Sequence, residues 1–114
     1  MAARLDDGGT LEVVMDGHRT AERRSLAYHQ AIVARLQDDP SLVERARARV
    51  ESWRGTETHP RWLEAWSALL ARPLVELCRA LVEPGEQMTA LRQVTPFAGV
   101  LDPRTRWALW SQVR

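Results

Sequence analysis

Every proline in this chain falls after residue 39, and each stands at a break between stretches of helix-spaced apolar residues. Proline lacks an amide donor and disfavours the α conformation in the residue before it. A helix therefore stops at or before that residue, or starts with the proline in its first turn. Asp39-Pro40, His59-Pro60, Arg72-Pro73, Glu83-Pro84-Gly85, Thr95-Pro96 and Asp102-Pro103 cut the chain into short segments. Within each segment apolar residues recur at spacings of three and four. Leu26, His29, Ile32, Val33 and Leu36 share a face over 21–37. Leu42, Val43, Ala46, Val50 and Trp53 do so over 40–54, with Gly55 as the stop. Trp62, Trp66 and Leu69 form the next stripe, widened by Leu63 and Leu70. Leu74, Leu77, Cys78 and Leu81 follow over 73–82, then Met88, Leu91 and Val94 over 86–94. Trp107, Leu109, Trp110 and Val113 close the series over 103–113.

This pattern predicts an all-α fold, a compact bundle of about six short helices over residues 21–114. Residues 1–20 read as a flexible N-terminal arm, with turn chemistry at Asp6-Asp7-Gly8-Gly9 and Asp16-Gly17. Between those turns, 10–15 has the composition of one short strand, which a helical domain cannot pair unless another chain supplies an edge.

The connector from Leu91 to Pro103 is the least helix-like part of the C-terminal half, yet it is mostly apolar. Pro96 pushes Thr95 out of the α region, and Gly99 can take a backbone angle that other residues resist. Phe97, Val100 and Leu101 are worth burying even in a connector. Phe97 is expected to dock against the helices that carry Leu26 and Leu91. Asp102-Pro103 reads as an N-cap followed by the first helical residue.

A chain of 114 residues suits one domain, and 45% apolar with 27% charged residues is a globular composition. Formal net charge is +1, so no global field draws the chain to nucleic acid. No apolar run is long enough for a membrane span, and no signal peptide is visible. The single Cys78 cannot form an internal disulfide, which fits a reducing cytoplasm. His18, His29 and His59 lack metal-ligand spacing with each other or with Cys78. Neither a Gly-rich phosphate loop nor a nucleophile elbow occurs, and no carboxylate pair stands out for acid–base work. No catalytic residue, metal ligand or cofactor is therefore assigned, and the chain reads as non-enzymatic. His29, beside Tyr28 on an apolar face, reads first as a core residue with satisfied hydrogen bonds and second as a partner contact.

All sixteen basic residues are Arg, so every basic contact is a planar fork suited to carboxylate or phosphate and to stacking on aromatics. The last helix combines Arg104 and Arg106 with Trp107 and Trp110, residue types that dominate protein interfaces. The candidate partner-binding set is Arg24, Tyr28 and His29 from the first helix, Arg92 from the fifth, and Arg104, Arg106, Trp107 and Trp110 from the last.

Two stretches carry a resemblance. Arg24-Ser25-Leu26-Ala27-Tyr28-His29-Gln30-Ala31-Ile32-Val33-Ala34-Arg35-Leu36 resembles the opening of a small bacterial antitoxin-like helical domain. Leu91-Arg92-Gln93-Val94-Thr95-Pro96-Phe97-Ala98-Gly99-Val100-Leu101 resembles its closing segment. That domain is sometimes found behind a helix-turn-helix domain, and the likeness covers residues 23–114. It implies a protein that binds and neutralises a partner toxin enzyme, encoded by the adjacent gene and acting on nucleic acid or translation. With some twenty residues ahead of that stretch in this sequence, neither a helix-turn-helix nor DNA autoregulation is expected of it. The other reading, a DNA-binding transcriptional regulator or a regulatory accessory subunit, would call for a clustered basic face. A homo-oligomer is compatible with either.

Overall fold

In a computed structural model, backbone is described for residues 2–113 and side-chain surroundings for residues 17 and 19–113. Six helices follow in order: α1 (Ala2–Asp38), α2 (Leu42–Ser52), α3 (Pro60–Leu70), α4 (Leu74–Leu81), α5 (Glu86–Gln93) and α6 (Pro103–Ser111). No strand occurs among the described residues. The all-α bundle is as expected, and α2 to α6 keep close to their expected bounds because their ends are set locally. The Asp102 carboxylate accepts the Thr105 N–H at 2.7 Å and the Thr105 hydroxyl at 3.1 Å. Those hydrogen bonds hold its carboxyl below the usual range. His59 Nδ1 accepts the Arg61 N–H at 3.1 Å ahead of Pro60. After α2, Gly55 takes φ 77°, the left-handed turn that favours glycine.

At the N-terminus the short strand does not form. α1 begins at Ala2 and runs unbroken past residue 20, so the backbone over 10–15 is helical and the short strand is absent. A strand without a pairing edge leaves its amides and carbonyls unbonded, whereas a helix satisfies them within the segment. The side chains of 1–16, and with them any ordering of an arm on binding, lie outside the described residues.

α1 is the spine. It packs against α4, α5 and α6, while α2 pairs with α3 and α3 reaches α4 and α5. Tyr28, Ile32 and Leu36, four apart, turn one face of α1 into the core, which is completed by Val50, Trp66, Leu70, Leu77 and Leu81. The corner after α5 folds back onto this core. Phe97 meets Trp66 edge-on, ring centroids 6.2 Å apart at 73°.

Arginine forks tie the elements together. Arg47 Nε and Nη2 donate to the Leu70 carbonyl at 3.1 and 2.7 Å. Arg92 Nη1 donates to the Glu83 carbonyl at 2.8 Å and the Leu81 carbonyl at 3.3 Å. Arg49 donates to the Ala98 carbonyl in the corner. The ends of α3 and α4 leave carbonyls that their own helices cannot satisfy, and a planar donor fork supplies what is missing.

Candidate functional site

The corner is held onto α1 by a short run of polar contacts. The Tyr28 hydroxyl donates to the Phe97 carbonyl at 2.7 Å and accepts the Leu101 N–H at 3.5 Å. His29 Nδ1 lies 2.7 Å from the Ser25 carbonyl. A carbonyl only accepts, so Nδ1 carries the proton and Nε2 is the acceptor. The Thr95 hydroxyl, 2.8 Å away, then donates to Nε2, and Thr95 Oγ1 accepts the Phe97 N–H at 3.1 Å. Burial pushes the His29 pKa down from 6.5 to about 4; the nearby Arg92 charge acts the same way, and the Ser25 hydrogen bond opposes both. At neutral pH the ring is uncharged, with both nitrogens engaged.

Over this floor opens a cleft of about 370 Å³ bounded by α1, the end of α5, the corner and α6. Arg24 of α1 and Arg106 of α6 stack on Trp110, their guanidinium carbons 5.9 and 5.1 Å from the ring centroid. Arg24 Nε and Trp110 Nε1 are buried and have no hydrogen-bond partner among the described residues. No Asp or Glu lines the cleft. A second groove of about 610 Å³ shares Ala21 and Gln93 with it and carries Glu22 and Glu86. One face thus sets a basic cleft beside an acidic groove.

Six of the eight expected contact residues line this one cleft: Arg24, Tyr28, His29, Arg92, Arg106 and Trp110. Three of those six are not free contacts. Tyr28, His29 and Arg92 are 6%, 1% and 5% exposed, and their polar atoms are bonded within the chain. They shape the floor rather than offer donors. For Arg92 the cause is the end of α4, whose carbonyls draw the guanidinium inward. Arg104 and Trp107 lie outside the cleft, on the exposed side of α6, with Trp107 68% exposed. Ser25, Gln93 and Thr95 line the cleft and were not singled out from the sequence. For Thr95 the readable signal was Pro96, which holds it extended and so leaves its hydroxyl at the bend.

Among the described residues, no three His, Cys, Asp or Glu side chains gather as metal ligands. Burial raises the Cys78 thiol pKa, the opposite of what a reactive thiolate requires. Nor is any described helix long and apolar enough to cross a membrane. What the arrangement offers chemically is recognition: fixed cations and orphaned donors around an aromatic ring.

The floor can be tested directly. Tyr28→Phe keeps the ring but removes one of two donors to the Phe97 carbonyl, which retains the Val100 N–H at 3.2 Å, and takes the acceptor from the Leu101 N–H; the lost hydrogen bond costs about 0.5–1.5 kcal/mol. Urea denaturation of the two proteins should show a loss of that size. Equal midpoints would mean that the hydroxyl contributes nothing to holding the corner.

In comparisons with known proteins, the chain matches no family model, no curated protein and no solved structure.

Proposed function

We propose that this chain is a non-enzymatic, antitoxin-like protein that binds and neutralises a partner toxin enzyme, the product of the adjacent gene. The observation that carries the reading is the pairing of Arg24 and Arg106 on Trp110 in a cleft without acids, next to a groove bearing Glu22 and Glu86. An enzyme that handles nucleic acid has a site of mixed charge: acidic groups that hold metal and basic groups that hold phosphate. A face with adjoining basic and acidic patches matches such a site and sets its register. Arginine forks meet carboxylates in pairs of hydrogen bonds, and the Trp110 ring keeps the forks oriented. Occupying both kinds of group at once would block the enzyme's substrate without any chemistry on the part of this chain.

The test is co-expression with the adjacent reading frame and purification through a tag on either protein. A stable complex, together with relief of the growth arrest caused by the partner alone, is the expected result. Arg106→Ala or Trp110→Ala should weaken the complex by about 1–3 kcal/mol in calorimetric titration, with the helical circular dichroism unchanged. If both variants bind like the parent, the interface lies elsewhere. If no complex forms and toxicity persists, the antitoxin reading fails.

A further inference from the structure

The lining of the cleft contains Arg24, Arg92 and Arg106 and no carboxylate, while His29 beneath it is neutral. The charge of Arg92 is already engaged, by the Leu81 and Glu83 carbonyls and by the Thr89 hydroxyl at 3.3 Å. Arg24 and Arg106 have no ion pair among the described residues; their described partner is the Trp110 ring. In addition, Arg24 Nε–H and Trp110 Nε1–H are withheld from water and from every described acceptor. Trp66 Nε1 and Ser67 Oγ are orphaned too, away from the cleft, so what distinguishes this place is two cations without an ion pair on one ring in a lining that has no carboxylate. The cleft volume falls within the range of small-ligand sites.

We propose that this cleft binds an oxyanion, a carboxylate or phosphate group held by the guanidinium forks of Arg24 and Arg106, with the Trp110 ring as their platform. The forks supply charge and paired hydrogen bonds through their terminal nitrogens, and the Trp110 ring holds both guanidinium groups at the cleft. Neutral His29, with both ring nitrogens engaged, takes no proton from the ligand and holds the floor in place. The oxyanion has two sources, a free small anion or an acidic side chain of a protein. The site does not depend on the antitoxin reading, because it acts on the chain alone.

The experiment titrates the full chain, with no partner present, with inorganic phosphate, with citrate and with an end-blocked hexaglutamate peptide. Sodium chloride keeps the ionic strength constant, and the indole N–H resonances are followed by nuclear magnetic resonance. Trp110→Phe, which keeps an aromatic platform, identifies the Trp110 signal. Saturable movement of that signal is expected. Affinity should fall about tenfold or more in Arg24→Gln and Arg106→Gln, and also fall in Arg106→Lys, which keeps the charge but loses the fork. Arg79→Gln, an exposed charge on α4, should leave it unchanged. Saturation by phosphate or citrate but not by the peptide assigns a free anion, and tighter binding of the peptide assigns a side chain. A Trp110 signal that none of the three probes moves overturns the proposal, and this arm needs no substitution. Equal weakening by Arg79→Gln overturns it too, since the binding would then be diffuse charge.

Discussion

Phe97→Ala is expected to destabilise the fold by about 3–5 kcal/mol, a large share of the stability of a small domain. The side chain is 0% exposed and packs edge-on against Trp66 of α3, although it comes from a connector rather than a helix. Its backbone is bound at both ends, through its N–H to Thr95 and through its carbonyl to Tyr28. The surroundings therefore cannot close over the space left by the ring, and the cavity term adds to the lost transfer energy. Phe97→Leu fills part of that space and should lose less. Denaturant midpoints at matched slopes measure the difference. An unchanged melting temperature in Phe97→Ala would show that the corner does not tie α3 to α1.

Acidification should reveal His29. Its folded pKa of about 4 lies below its ordinary 6.5, so between those values the unfolded chain binds a proton that the folded chain refuses. Its contribution is therefore fully present above about pH 6.5. It declines as pH falls and is gone once pH passes through about 4. The full loss across that window is about 3 kcal/mol from this one group. Burial is the main cause and the Arg92 charge adds to it, so the dependence should resist added salt more than a surface effect does. Equilibrium unfolding at several pH values from 7.5 down to about 4 measures the slope. His29→Gln, which cannot titrate, should lose most of that slope even though it starts less stable at neutral pH. Parallel curves for the two proteins would mean that another group carries the dependence.

Much of the chain was readable in advance because the signals are local. Pro60, Pro73 and Pro103 act through a missing donor and a fixed torsion, Asp102 through a hydrogen bond three residues ahead, and Gly55 through its own φ. The periodicity of His29, Ile32 and Leu36, and the apolar character of Phe97 and Leu101, state what must be buried, and these residues are buried, while Leu26 and Val33 of the same stripe are partly buried. Burial has one favourable direction for an apolar side chain, whatever the order in which helices pack.

The remainder depended on what each group meets in space. The segment 10–15 has the composition of a strand, but a strand needs an edge, and the bundle provides none among its described residues. Arg92 reads as a surface cation until the end of α4 is brought beside it, when the unsatisfied carbonyls of Leu81 and Glu83 make burial favourable. His29 was expected to be satisfied in the core, yet its partner Thr95 and its tautomer come only from the corner folding back. Arg24 and Arg106 stand at opposite ends of the chain and meet over Trp110 because α6 returns to α1. Periodicity specifies the inward face of each helix. It leaves open which helix lies across from that face, and a site built of long polar side chains is decided by that neighbour.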